Sequence, residues 1–186
     1  MATARRQQLF DDLVALFLAE GFSRFTLDDL ASRLRCSKST LYQLASSKEQ
    51  LARAVAVHFF KGAAERVEGA LSDVVGARAR VDAYLRAVAA ELAAASSVFF
   101  SDLESFAPGR EVYRRNTEIA AERVGELIAV GVRAGEFRAV SAAFVADLVS
   151  AQMVRIQQRE VQARTGIADA DAYAALADLV LRGISS

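Results

Sequence analysis

The sequence predicts an all-α protein of about nine helices, with a small helical domain over residues 1–50 and a larger helical domain over residues 51–186. Of the 186 residues, 53% are hydrophobic and only Pro108 is a proline, which is a composition that suits long helices. Apolar residues recur every three or four positions, as on one face of a helix, and no alternating strand pattern occurs. Helix-capping residues divide the chain into regular segments.

The first helix is amphipathic and is predicted to end near Glu20. Gly21 follows it and suits the left-handed position that closes a helix. Phe22 and Phe25 are then expected to pack beneath the next pair of helices. The apolar stripe of the first helix consists of Leu9, Leu13, Leu16 and Phe17.

Two short helices joined by a tight turn are predicted next. Thr26 is a favourable N-cap, and Asp29 three residues later completes a variant of the capping box. Ser37 caps the second helix, which is predicted over residues 38–44. The first helix of this pair turns an apolar face inward, formed by Leu27, Leu30, Ala31 and Leu34.

The second helix of the pair divides into an inner and an outer face. Leu41 and Leu44 can point inward, where they would fix the angle between the two helices. A helix-turn-helix requires this division, because its outward residues must reach bases and phosphates. Ser46 and Ser47 can each cap the helix that begins at Lys48. The residues left on the outer face are Lys38, Ser39, Thr40, Tyr42 and Gln43.

The rest of the chain continues in a helical pattern. A long helix from Lys48 is expected to join the two domains. The predicted segments are helices over residues 48–75 and 78–95, a short apolar segment over 98–106, and helices over 108–134, 141–164 and 169–183.

The motifs between Leu13 and Leu51 resemble the DNA-binding domain of the TetR family of bacterial transcriptional regulators. They cover about the first quarter of the chain, in the order and spacing of the family. Arg35 stands where the family usually has glycine, and a left-handed conformation there costs an arginine on the order of 1 kcal/mol. The matching runs are Phe17–Phe22, Thr26–Ala31, Ser37–Tyr42 and Ser47–Leu51.

The helix-turn-helix supplies the predicted contacts to double-stranded DNA. Ser39, Thr40 and Gln43 are assigned to bases, because their side chains can donate and accept hydrogen bonds at base edges. Tyr42 and Lys48 are assigned to phosphates, with an ordinary solvated surface as the alternative. The remaining members of the predicted DNA surface are Thr26, Ser37 and Lys38, of which Lys38 can reach a guanine or a phosphate.

The last two helices carry apolar stripes that predict a homodimer. A single recognition helix rarely gives useful specificity, whereas a two-fold dimer presents two helices to a near-palindromic operator. The resemblance implies that the two C-terminal helices of each subunit form a four-helix interface. Packing within the monomer is the alternative. The predicted interface residues are Val145, Leu148, Val149, Gln152, Ile156, Tyr173, Leu176 and Val180.

The resemblance also implies a small-molecule effector site in the middle helices, over about residues 78–135. A filled core is the alternative for each apolar candidate. The polar candidates for specificity are Asp102, Glu104 and Gln152, and the identity of the effector is not encoded in any motif. The predicted lining consists of Tyr84, Phe99, Phe100, Leu103, Phe106, Tyr113 and Gln152.

Other functional classes lack their characteristic residues. His58 is the only histidine, which excludes a His-rich metal site, and no Gly-rich phosphate loop, metal-protease motif or cysteine pair occurs. No run of about 20 uncharged apolar residues predicts a membrane span, and residues 1–6 lack the apolar core of a secretion signal. We therefore expect a cytoplasmic protein with no metal, no cofactor and no membrane partner.

Cys36 is the only cysteine and cannot form an internal disulfide, in agreement with a reducing cytoplasm. Its neighbours Arg35 and Lys38 could lower the pKa of the thiol and permit redox sensing. A small buried cysteine is the commoner case.

Together these observations predict a sequence-specific DNA-binding regulator rather than an enzyme, most simply a repressor that a small molecule releases from its operator. The zero net charge counts mildly against a general nucleic-acid binder, although Arg33, Arg35, Lys38 and Lys48 cluster around the helix-turn-helix. One alternative is a small-molecule-binding protein or enzyme that keeps the helical fold without binding an operator. The other is a regulator without a ligand.

Overall fold

The computed structural model describes residues 3–184 and contains ten helices within that range. The all-α prediction is confirmed. The helices are α1 (Thr3–Glu20), α2 (Leu27–Arg33), α3 (Lys38–Tyr42), α4 (Lys48–Gly69), α5 (Ala77–Ala93), α6 (Ser97–Ser105), α7 (Ala107–Arg133), α8 (Ala142–Gln157), α9 (Glu160–Thr165) and α10 (Asp169–Ile184).

The first difference from the prediction lies at the end of α4. This helix was expected to continue to about residue 75, but it ends at Gly69. The next residues form tighter turns, in which Leu71 N donates to Glu68 O and Ser72 N donates to Gly69 O. Glycine, serine and aspartate are weak helix formers, so this segment leaves the helix where Leu71 becomes buried.

The second difference is the division of the predicted 141–164 helix into α8 and α9, which raises the count from nine helices to ten. Arg159 between them adopts a left-handed conformation with φ 61°. Its guanidinium Nη1 donates to Asp169 Oδ2 at 3.0 Å, and the Asp169 side chain is buried. This charge-assisted bond offsets the roughly 1 kcal/mol that a left-handed arginine costs.

The chain packs as two compact units. The first comprises the residues up to Gly62 together with Ala95–Tyr113, so that α6 and the start of α7 pack with the N-terminal helices. Its core is rich in aromatic rings, among which Phe22 and Phe99 meet at 6.3 Å, Phe59 and Phe99 at 5.8 Å, and Phe60 and Tyr113 at 5.2 Å between ring centroids. The buried stripe of α1 packs here through Leu9, Leu13 and Phe17.

The second unit comprises Ala63–Ala94 and the residues from Arg114 onward. Its core contains apolar residues of α5, α7, α8 and α10. At Gly131 of α7, a Cβ atom would lie 2.3 Å from a ring carbon of Phe137, so only glycine allows this approach. The fully buried residues include Val81, Leu85, Val124, Ile128, Val149 and Tyr173.

Candidate nucleic-acid interface

The α2 helix begins with the predicted capping box. Asp29 N donates to Thr26 Oγ1 at 3.2 Å, and Thr26 N donates to Asp29 Oδ2 at 2.8 Å. The Thr26 side chain and backbone both donate to the Asp29 carboxylate and hold its pKa below the usual range. The start of the helix-turn-helix is therefore fixed by two residues that the sequence identified.

The turn between α2 and α3 is a Schellman motif built on an arginine. Cys36 N donates to Ala31 O at 3.0 Å, Arg35 N donates to Ser32 O at 3.2 Å, and Arg35 has φ 50°. The turn therefore keeps a left-handed geometry although Arg35 replaces the glycine that such a position favours. Its Ramachandran strain is on the order of 1 kcal/mol.

The α3 helix has one buried and one exposed face. Leu41 is only 1% exposed and anchors the helix. Ser37 caps the helix by accepting from Thr40 N at 3.2 Å. Its hydroxyl also lies 2.7 Å from that of Ser39 and 2.9 Å from that of Thr40. The predicted contact residues left at the surface are Ser37, Lys38, Ser39, Tyr42 and Gln43, with Thr40 half-buried.

The lysines near α3 both have partners within the first unit. Lys38 Nζ lies 2.6 Å from Asp28 Oδ2, and this carboxylate raises the pKa of the lysine. Lys48 Nζ donates to Ser23 O at 2.7 Å. Asp28 was not identified from the sequence, because only the packing of α2 on α3 brings it to Lys38. A phosphate that approaches Lys38 therefore competes with the Asp28 carboxylate.

The arginines of the predicted basic cluster differ in their availability. Arg33 pairs with Glu20, and its guanidinium carbon lies 5.7 Å from the centre of the Phe25 ring. Glu20 is the last residue of α1, so this pairing draws Arg33 toward the end of that helix. The basic character around α3 therefore rests on Lys38, Lys48 and Arg35, whose side chain is exposed.

Replacing Asp28 with asparagine is expected to raise the affinity for duplex DNA. The change removes a negative charge beside α3 and frees Lys38 from its ion pair, so a phosphate no longer competes with a carboxylate. We expect a gain of about two- to fivefold at low salt that diminishes as salt is added. Fluorescence anisotropy with labelled duplex measures it. The Asp82→Asn variant is the matched control, because Asp82 pairs with Arg86 in the second unit. Equal or weaker binding by Asp28→Asn would contradict the assignment of Lys38.

The second unit carries an apolar groove between α8 and α10, with a volume of about 730 Å³. Of the large apolar side chains left exposed in it, Phe144 at 66% and Leu179 at 70% are the most exposed. The sequence did not single out either one, although each lies one helical turn from a predicted member of the same stripe. The predicted interface residues that line the groove are Val145, Leu148, Gln152, Leu176 and Val180.

The other predicted interface residues are buried inside the second unit. Val149, Ile156 and Tyr173 are almost fully enclosed. They pack the helices of the monomer together, which is the alternative that the sequence left open for the stripe.

The predicted effector residues are divided between the two units. Tyr84 and Gln152 belong to the second, where Tyr84 is buried and Gln152 lines the groove. Burial raises the pKa of Tyr84 to about 12. Asp102 hydrogen-bonds to the backbone at Phe22, so its carboxylate is already committed within the first unit. The members in the first unit are Phe99, Phe100, Leu103 and Tyr113, which are buried, and Phe106, which is half-buried.

Two further sequence hypotheses concern reactive groups. Burial raises the pKa of the Cys36 thiol, which is the direction expected of a buried cysteine and opposite to the lowering that redox sensing would need. Within residues 3–184, no group of three or more His, Cys, Asp or Glu side chains is placed to hold a metal ion.

In the described part of the chain, no single helix is long and apolar enough to cross a bilayer. One consecutive pair, Ala77–Ala93 with Ser97–Ser105, meets the length and composition criteria only when its helices are taken together.

The model of the family described as bacterial regulatory proteins, tetR family, matches residues 9–55. No curated protein is significantly similar to the chain in sequence. A structure described as a transcriptional regulator from Saccharomonospora viridis, in complex with choline, is 18% identical, with a TM-score of 0.77 and 100% coverage of both chains. The TetR-family regulator PfmR from Thermus thermophilus is 21% identical, with a TM-score of 0.65, over 96% of this chain and 100% of that one. A TetR/AcrR-family regulator from Thermobifida fusca is 21% identical, with a TM-score of 0.69, over 97% and 98%.

Proposed function

Because the chain belongs to the TetR family of bacterial transcriptional regulators, we propose that it binds a near-palindromic operator as a homodimer and is released by a small-molecule effector. The observation that carries the proposal is the exposed polar face of α3, held outward by the buried Leu41. In this assignment Ser39, Thr40 and Gln43 contact bases. The phosphate contacts come from Tyr42 and Lys48, with support from Thr26, Ser37 and Lys38.

The homodimer forms through the α8–α10 groove. Large apolar side chains such as Phe144, Leu148 and Leu179 stand at its surface, and contiguous exposed apolar patches mark interaction sites. Under two-fold symmetry the same surface of each subunit contacts that of the other, so the exposed apolar side chains of one copy can cover those of its partner. That symmetry also presents α3 twice to successive turns of the duplex, which gives the specificity that one short helix lacks.

The effector acts by preferring the conformation that binds DNA poorly. A ligand shifts such an equilibrium only by its difference in affinity for the two states, so release requires a preference of several kcal/mol. Four of the proposed effector residues are aromatic side chains of the first unit, Phe99, Phe100, Phe106 and Tyr113. Aromatic faces attract quaternary ammonium groups. Choline, bound by the Saccharomonospora viridis regulator, is therefore a suitable first probe.

A ligand that acts as the effector is expected to stabilise the protein against heat. At 100 times its dissociation constant it adds about 2.7 kcal/mol, which for a chain of this size raises Tm by roughly 5–10 °C. Differential scanning fluorimetry with choline and other small molecules measures the shift. The same concentrations should weaken operator binding. A compound that raises Tm while operator affinity stays constant would contradict release by that compound.

The DNA-binding proposal is tested by selecting bound sequences from random duplex DNA. The enriched sequences are expected to contain two inverted half-sites, separated by about one helical turn or more. Inverted symmetry in these sequences would indicate binding as a dimer. The base positions that are the same in all enriched sequences would identify the bases that α3 contacts. Recovery of random sequence after repeated rounds would argue for the alternative, a helical small-molecule-binding protein without an operator.

A further inference from the structure

A single carboxylate ties α6 to the turn between α1 and α2. Asp102 Oδ2 accepts hydrogen bonds from Phe22 N at 2.6 Å and Ser23 N at 2.8 Å. Asp102 Oδ1 accepts from Ser23 Oγ at 2.6 Å. Bonds to an ionised acceptor are roughly twice as strong as neutral ones, so these three form a firm attachment.

The turn is shaped to receive this carboxylate. Gly21 has φ 74°, and a Cβ atom there would lie 2.5 Å from Asp102 Oδ2 and 2.7 Å from Val98 Cγ1. Glycine therefore provides both the left-handed backbone and the space that α6 occupies. A second attachment lies at the start of α6, where Ser96 N donates to Leu18 O at 2.8 Å. The segment that contains α6 is thus bonded once to α1, at Leu18, and once to the turn that follows it, at Phe22 and Ser23.

The same turn also binds the side chain of Lys48, which is a predicted phosphate contact. Lys48 Nζ donates to Ser23 O at 2.7 Å. The backbone of Ser23 therefore links the carboxylate of α6 to the first residue of α4, because its N–H donates to Asp102 and its carbonyl accepts from Lys48. Thr26, the cap of α2, follows three residues later. Asp102 therefore holds the turn that leads into the helix-turn-helix. The same turn also orients the Lys48 side chain.

We propose that Asp102 is a positioning residue for operator recognition, which fixes the orientation of the α2–α3 pair and places Lys48 for a phosphate. The inference rests on the proposed operator binding. Base contacts must all form at once in a specific complex, so loss of this attachment weakens specific binding. Non-specific binding depends on phosphate contacts that tolerate a range of orientations, and it should change little.

The test compares Asp102→Ala, Asp102→Asn and Ser23→Ala at a temperature where circular dichroism shows each variant to be fully folded. The probes are the duplex that the wild-type protein enriches from random DNA, and a scrambled duplex of the same composition. Asp102→Ala should weaken binding to the enriched duplex by about ten- to hundredfold, which is the loss typical of hydrogen bonds to a charged group. Its affinity for the scrambled duplex, and the salt dependence of that affinity, should match the wild type.

The other two variants should lose less affinity for the enriched duplex than Asp102→Ala does. In Asp102→Asn the amide oxygen can still accept from both backbone N–H groups, so binding should stay within about threefold of the wild type. Ser23→Ala loses only the hydroxyl bond and should be intermediate. The matched control is Glu91→Ala, which removes a carboxylate that accepts two bonds from Arg66 in the second unit. It should leave both affinities unchanged.

The outcomes separate the inference from the function on which it rests. If folded Asp102→Ala keeps the wild-type ratio of enriched to scrambled affinity, the inference is wrong and Asp102 only stabilises the fold. An equal fall in both affinities would overturn it in the same way. If the wild-type protein enriches no sequence at all, the proposed function itself fails, and the inference fails with it.

Discussion

Replacing Phe99 with alanine is expected to lower the free energy of unfolding by about 3–5 kcal/mol. The Phe99 ring is only 1% exposed. Its ring centroid lies 6.3 Å from that of Phe22, 5.8 Å from that of Phe59 and 5.6 Å from that of Phe100, and each pair is arranged edge to face. Truncation removes these ring contacts and leaves a cavity that the surrounding rings cannot easily fill. Domains of this size have roughly 5–15 kcal/mol of stability in total, so the loss is large.

Urea or thermal denaturation of the Phe99→Ala variant measures this loss. Val75→Ala is the control, because Val75 is 90% exposed and its truncation should change stability by less than about 0.5 kcal/mol. A loss below about 1 kcal/mol for Phe99→Ala would show that the ring borders an open cavity instead of a packed core. The expected large loss would mean that an effector reaching Phe99 must first separate aromatic side chains.

Replacing Leu179 with glutamate is expected to abolish the homodimer and, with it, specific operator binding. Leu179 stands exposed in the α8–α10 groove, and two-fold symmetry places the new charge in the interface twice. An unpaired buried carboxylate costs several kcal/mol, so the dimer dissociation constant should rise by about a thousandfold or more. A monomer presents only one α3 helix and should bind the enriched duplex little better than scrambled DNA.

Light scattering after size-exclusion chromatography measures the mass of the Leu179→Glu variant, and anisotropy measures its binding to DNA. Ile119→Glu is the matched control, because Ile119 is an exposed apolar residue of the same unit that does not line the groove. The control should remain dimeric. A dimeric Leu179→Glu protein with wild-type operator affinity would place the interface elsewhere on the chain.

The sequence predicted those features that depend on neighbouring residues. Thr26 with Asp29, and Ser37 with Thr40, form the expected caps, because a helix start is set by side chains three positions apart. The break at Arg159 could not be foreseen in this way. No glycine or proline marks it, and the compensating bond comes from Asp169, ten residues away.

In the candidate site, too, the sequence predicted features that depend on nearby residues and missed contacts that depend on packing. Periodicity identified Leu41 as an inward residue and Lys38 as an outward one. It did not reveal that Asp28 pairs with Lys38, because that contact depends on how α2 packs on α3. The sequence likewise offered Phe99 and Phe100 either as lining of an effector site or as a filled core, but it did not indicate which rings they contact. Asp102 bonds to a turn about 80 residues earlier in the chain, and no local pattern reveals such a contact.

The central claim is that α3 reads a base sequence, and the ratio of affinities for enriched and scrambled duplexes at physiological salt tests it most directly. Specific binders typically prefer their sites by a factor of about a thousand or more. We predict such a ratio for the wild-type dimer, together with a binding stoichiometry of two chains per operator. Equal affinity for the two duplexes would contradict the account.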